Sequence, residues 1–330
     1  MEEKMTNILI LSAGTRDKVV QYFKKELGDQ GSIIATDCSN IAPAIYDADR
    51  AFLVPPIVAD GYIDRILEIC RKEKVTGVFS LIDPELSLLA KHRARFEEIG
   101  TTPIVSSYEL CEICLDKYRM YQLLQDKKIR TAKCYIDKKE FFRAKKAGEI
   151  SYPVFVKPQR GSASININKV TTDAEIETLF CIYDDLMIQE YMDGQEYGAD
   201  VYLDLISGKC TSIFLKEKIK MRAGETDKAV SVKDPELFEQ IRSFAESCGF
   251  RGMIDIDLFR VDGKWYFSEV NPRFGGGFPH AYGCGVNTPR SVIRNLQGQE
   301  NPVTIGDYEE GVYMMKYNEV MFRTQRQLYE

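Results

Sequence analysis

The chain has 330 residues, 44% hydrophobic and 28% charged, which is enough to bury a large core and to divide into two or three domains. A formal net charge of −6 supplies no general basic field, so no nucleic-acid partner is expected. No apolar run approaches the roughly 20 residues of a membrane span, and the acidic start Met1–Met5 lacks the basic-then-apolar order of a signal peptide. No membrane partner and a cytoplasmic location are therefore expected.

Residues 1–106 alternate strand and helix patterns. Residues 7–11 read as a buried strand, 18–27 as a helix, and 32–36 as a second strand ending near Asp37. A helix over 63–73, a strand over 75–80, a helix over 85–98 and a short strand at 103–105 complete the series. Short strands alternating with helices predict an open parallel sheet covered on both faces. The turn Ser12-Ala13-Gly14-Thr15-Arg16 has one glycine where a dinucleotide fold has G-x-G-x-x-G, so a nicotinamide cofactor is not expected. That turn suits an anion or simply a tight strand–helix connection.

From residue 107 the texture changes. A helical stretch over 108–128 carries Cys111 and Cys114 as a lone C-x-x-C, two of nine scattered cysteines. With no second pair at zinc-site spacing, they read as reduced helix residues one turn apart. Strand-like segments follow around 132–136 and 154–156, then further strands and helices to Val270, a glycine-rich loop, a helix near 289–296 and a strand near 312–317.

Four clusters carry chemistry. In the first, Lys157 ends an apolar strand and needs an anionic partner. The following Gly161-Ser162-Ala163-Ser164 can aim backbone N–H groups at phosphate oxygens or serve as an ordinary turn. The second is Gln189-Glu190-Tyr191-Met192, apolar with polar edges as adenine requires, followed by Glu196, placed to accept hydrogen bonds from ribose hydroxyls. An exposed strand and turn would look the same.

The third cluster is two alternating segments flanking Asp262-Gly263, which predicts a β-hairpin. Acidic and amide groups recur on alternate positions, Asp255 and Asp257 on one strand, Glu269 and Asn271 on the other. Hard oxygen ligands on one face suit magnesium bound to nucleotide phosphates. A two-residue Asp262-Gly263 turn would put Asp257 opposite Ser268 and away from Glu269. A three-residue loop over 261–263 would oppose it to Phe267, so Asp257, Glu269 and Asn271 would share a face. The metal reading therefore predicts the longer loop with a glycine bulge. In the fourth cluster, Gly275-Gly276-Gly277 leaves backbone N–H groups accessible beside Arg273, or is only a flexible connection. Two histidines, His92 and His280, cannot make a histidine metal cluster, and no G-x-S-x-G marks a serine hydrolase.

In this order, the strand lysine, the glycine-serine loop, Gln-Glu-Tyr-Met and Glu269-Val-Asn-Pro-Arg273 after an acidic strand resemble the ATP-grasp superfamily over about residues 107–300. The preceding segment is similar to the domain that leads an ATP-grasp unit in the carbamoyl-phosphate synthase large subunit. The resemblance implies a fold of α/β plus α+β type, an open parallel-sheet domain (1–106) before a two-lobed ATP-grasp fold (107–190 and 191–330). It implies ATP bound by Lys117, Lys157, Gly161 to Ser164, Gln189 to Met192, Glu196 and Arg222. Magnesium, or manganese in its place, would be held by Asp257, Glu269 and Asn271. Lys157 and Arg273 would be catalytic, with Arg222 and Gly275 to Gly277 toward the substrate. The implied reaction is ligation of a small carboxylate to a small amine through an acyl-phosphate, with a homodimer as the candidate assembly. Phosphoryl transfer without ligation, or a regulatory nucleotide-binding subunit, are the alternatives.

Overall fold

The computed structural model describes residues 5–161 and 167–329. Five strands open the chain: β1 (Asn7–Leu11), β2 (Ile33–Asp37), β3 (Arg50–Leu53), β4 (Val75–Ser80) and β5 (Thr102–Pro103). They pair in parallel in the order β3-β2-β1-β4-β5. Side chains alternate across β1, so Ile8 and Ile10 pack with Val19, Val20 and Phe23 of helix Asp17–Leu27, while Leu9 and Leu11 pack with Ile63 and Ile66 of helix Tyr62–Lys72. The chain leaves β1 toward β2 and returns on the other side at β4. The crevice at the carboxyl ends of β1 and β4 is thus the topological switch point, where open α/β sheets bind ligands.

Three local expectations are corrected here. The edge strand β3 went unread, because Arg50-Ala-Phe-Leu is four residues long and only partly buried. The helix expected over 85–98 is two, Asp83–Lys91 and Arg93–Glu97, because Arg93 turns to donate to the carbonyls of Pro103 and Val105. The long helix after residue 107 is also two, Tyr108–Leu115 and Lys117–Asp126, since extended Asp116 caps the second by accepting from the N–H groups of Tyr118 and Arg119. Cys111 and Cys114 are buried, free cysteines in the first of these helices.

Next comes an antiparallel sheet of β6 (Cys134–Tyr135), β7 (Val154–Pro158), β8 (Asn168–Val170) and β9 (Leu186–Glu190), in the order β6-β9-β7-β8. Val154, Val156 and Ile188 pack under helices Lys138–Lys146 and Asp173–Ile182. Alternation sends Phe155 and Lys157 to the opposite face, where they pair with Gln189 and Met187.

The largest sheet holds β10 (Gln195–Leu203), β11 (Cys210–Arg222), β12 (Glu225–Val232), β13 (Gly252–Val261), β14 (Lys264–Asn271) and β15 (Tyr313–Met315), in the order β14-β13-β10-β11-β12-β15. Ala199, Val201, Ile254 and Ile256 face helix Pro235–Cys248 within the main core. The other face is charged. Among the described residues no helix is long and apolar enough to cross a membrane.

The β13–β14 hairpin departs from the expected loop. Val261 pairs with Lys264 across a two-residue turn in which Asp262 and Gly263 both have positive φ, 48° and 74°. The extra residue sits further along: Leu258 pairs with Phe267 and Asp257 with Glu269, so Ser268 is bulged out. The bulge reverses the alternation of β14. Phe267 points into the core, Glu269 and Asn271 point to the charged face, and Asp257 lies directly opposite Glu269.

Candidate active site

The charged face of the large sheet, the Lys157 face of the small sheet and the switch-point loops enclose one cavity of about 430 Å³. From the small sheet and the helix before it come Lys117, Lys157, Arg160 and Gly161. Lys117 donates to the carbonyl of Gly161, and its amide to that of Gln159, so the helix start and the phosphate-type loop are tied together. Burial lowers the Lys117 pKa, an effect that a bound polyanion would offset. Lys157 is 8% exposed, as expected for a cation drawn inward at the end of a buried strand.

The opposite wall carries Asp255, Asp257, Glu269 and Asn271. Lys218 on β11 bridges two acids, its Nζ lying 2.5 Å from Asp257 Oδ1 and 2.7 Å from Glu196 Oε1. Burial and the neighbouring Asp257 carboxylate push the Asp255 carboxyl well above its usual range, and burial raises Glu269 too. Burial disfavours the charge on both carboxyls, and their oxygen donors are the chemistry a hard divalent cation takes. Among the described residues no three His, Cys, Asp or Glu side chains form a ready cluster. Two carboxylates and the Asn271 amide fit an ion that completes its shell with phosphate oxygens and water.

Arg273 closes the wall where β14 ends, 12% exposed and bonded to Asp83 of the N-terminal domain at 3.1 and 3.3 Å. Beyond it lies a second polar end. Glu225 bridges Arg16 at 3.0 Å and Lys316 at 3.0 Å, with Gly276 and Gly277 beside it. A side chain at Gly277 would meet Lys216 Nζ at 2.9 Å, and one at Gly275 would meet the Asp255 carboxylate at 2.4 Å, so the loop lies flush on the charged face.

The structure thus brings together Lys117, Lys157, Gly161, Asp257, Glu269, Asn271, Arg273, Gly276 and Gly277. Gly275 lies directly behind them. Gln189 shares the Lys157 face but is buried against Cys134. Glu190 faces away and accepts from the Lys133 amide, Tyr191 packs on Phe155 and under the Lys169 ammonium, and Met192 lies outside the lining. Glu196 reaches the site through Lys218. Arg222 turns outward to Asn318 Oδ1 at 2.9 Å. Ser162, Ala163 and Ser164 lie outside the described residues. Sequence reasoning passed over Lys218, Glu225 and Asp83, and read Arg16 only as part of a turn. Alternating lysines on β11 opposite an acidic strand were the available signal for Lys218. The other three meet the site only through tertiary contact.

Residues 114–277 match the ATP-grasp domain family, and this chain is an ATP-grasp protein. More particularly, it joins that domain to a PylC-like N-terminal domain, matched over residues 8–104. Among curated relatives, it is 24% identical over 288 residues to the arginine-specific carbamoyl phosphate synthase large chain of Geobacillus stearothermophilus, covering 82% of this chain and 26% of that one. It therefore spans about a quarter of the carbamoyl phosphate synthase chains it matches. It is 28% identical over 230 residues to the D-alanine–D-alanine ligase of Clostridium beijerinckii, covering 62% and 74%. In fold it is similar to the biotin carboxylase domain dimer of Hydrogenobacter thermophilus 2-oxoglutarate carboxylase, in complex with MgADP, ADP and bicarbonate, with TM-score 0.74, 19% identity and 94% and 74% coverage. It is also similar to Staphylococcus aureus N5-carboxyaminoimidazole synthetase complexed with ADP, with TM-score 0.72, 14% identity and 92% and 80% coverage.

Proposed function

We propose that this protein is an ATP- and magnesium-dependent ligase that activates a small carboxylate as an acyl-phosphate and joins it to an amine, releasing ADP and phosphate. The observation that carries the reading is the meeting, in one cavity, of two phosphate-type lysines, a hard-oxygen set and a buried arginine. The division into 1–106, 107–190 and 191–330 follows the same reading, with the site where the three parts meet.

Lys117 and Lys157 hold the nucleotide's phosphates as fixed charges at the small-sheet wall, and Glu196 takes the ribose hydroxyls. Asp257, Glu269 and Asn271 would hold magnesium, which when bound neutralises phosphate charge. Arg273 stabilises the charge on the transferring phosphoryl group as a carboxylate oxygen attacks the γ-phosphorus. The Gly276–Gly277 segment, flush against Lys216, gives the acyl-phosphate a surface of backbone N–H groups. Amine attack on that carbonyl expels phosphate, and no side-chain nucleophile is required.

Hydroxylamine tests this reading. A small amine reaches the activated carbonyl without filling the natural amine's pocket, so an accepted carboxylate should give a hydroxamate that depends on ATP and magnesium. Formation of a stable phosphorylated product, with no hydroxamate from any accepted carboxylate, would assign phosphoryl transfer without ligation instead.

A further inference from the structure

Arg273 is held by a residue 190 positions earlier in the chain. Its Nε lies 3.1 Å from Asp83 Oδ1 and donates to Oδ2 at 3.3 Å, and its Nη2 donates to Oδ2 at 3.3 Å. Nη1 donates to the carbonyl of Phe274 at 3.3 Å and lies 3.7 Å from Asp255 Oδ2. A guanidinium has five N–H groups in a rigid plane. Asp83 covers the edge made by Nε and Nη2, and Phe274 takes one N–H of Nη1. One N–H on each Nη has no hydrogen-bond partner among the described residues, and two such donors are what a guanidinium offers to the oxygens of a phosphoryl group.

Asp83 is itself fixed. It begins helix Asp83–Lys91, directly after the Ser80–Ile82 turn in which Ser80 Oγ accepts from the Ile82 amide at 3.1 Å. Two residues later, the fully buried Glu85 carboxyl accepts from the hydroxyls of Ser80 and Tyr62. One carboxyl thereby ties the end of β4 to helix Tyr62–Lys72, and Asp83 projects from that corner. Both Asp83 and Arg273 are nearly dry, at 11% and 12% side-chain exposure, so the pair is little screened.

We propose that Asp83 is a positioning residue that orients Arg273, so that the N-terminal domain sets the phosphoryl-facing fork of the active site. The assignment rests on the phosphoryl role given to Arg273 above. It goes beyond that role by making the PylC-like domain part of the catalytic apparatus rather than a support for it. A pair that merely stapled the domains would contribute to stability but would not discriminate between bound nucleotide and a bound mimic of the transferring phosphoryl group.

The experiment measures MgADP binding to the full chain with and without aluminium fluoride, which mimics that group. In the wild type, aluminium fluoride should tighten MgADP binding. Asp83→Asn should cut the tightening by about tenfold, the lower end for loss of a group that orients a site residue, while binding of MgADP alone is unchanged. Adding Asp83→Asn to Arg273→Ala should do nothing more, since the carboxylate then has no arginine to orient. Undiminished tightening in Asp83→Asn overturns the assignment, as does a further loss in the double variant. Loss of MgADP binding by Asp83→Asn also overturns it, because a staple then explains the pair. No tightening in the wild type would instead remove the phosphoryl reading of Arg273, and the assignment with it.

Discussion

The Lys216–Asp200 pair lies beneath the glycine loop, and replacing Lys216 by Met should destabilise the large sheet severely. The ammonium is bonded to Asp200, and both side chains are 1% exposed. Gly198 on β10, directly opposite Lys216, has no side chain, and one there would come within 3.1 Å of the Lys216 stem. Met reproduces the length of that stem, so the substitution chiefly removes the charge. It leaves a carboxylate whose Oδ1 already lacks a hydrogen-bond partner among the described residues, with Asp255 on the same face. Breaking one side of a buried pair in this way costs about 3–5 kcal/mol, whereas replacing both partners with apolar groups is close to neutral. Lys216→Met should therefore lose about 4 kcal/mol, and Lys216→Met/Asp200→Leu should return to within about 1 kcal/mol of wild type. The chain's single tryptophan, Trp265, is on β14 of the same sheet, edge-on to Tyr197 at 4.7 Å, so its fluorescence in urea reports this unit. A loss below about 1 kcal/mol in Lys216→Met, or a double variant no better than the single one, would refute the reasoning.

At the active site, Lys157→Ala and Arg273→Ala should each lower turnover by about 10²–10³, the range for one preorganised charge-stabilising donor; near-normal turnover in a folded variant would remove that residue's role. The Glu85 carboxyl is pushed up by burial, so the folded chain keeps this proton to higher pH than the unfolded chain does. Its contribution to stability is complete below the ordinary glutamate range and is lost as pH rises through the raised value. Glu85→Gln should accordingly flatten the fall in melting temperature as pH rises above the ordinary glutamate range, and a variant curve parallel to wild type would contradict this.

Periodicity made the parallel sheet, the acidic hairpin and the order of the clusters legible, because alternation and turn residues are local properties. The hairpin marks the limit of that reading. Alternation placed Asp257, Glu269 and Asn271 on one face only with a longer loop, yet the chain keeps the tight turn and bulges Ser268 instead. A bulge inside a strand leaves no mark in a hydrophobic pattern when the extra residue is a half-exposed serine. Arg16, Asp83 and Glu225 belong to the site through contacts across 190 or more residues, or through ion pairs between domains, and no spacing encodes these.

Oxygen transfer tests the central claim most directly. If a carboxylate oxygen attacks the γ-phosphorus, that oxygen stays with phosphorus when the amine displaces phosphate. With a carboxylate labelled in both oxygens with oxygen-18, complete turnover should release phosphate carrying one labelled oxygen per molecule. Unlabelled phosphate from a turnover that forms the amide would contradict the acyl-phosphate account.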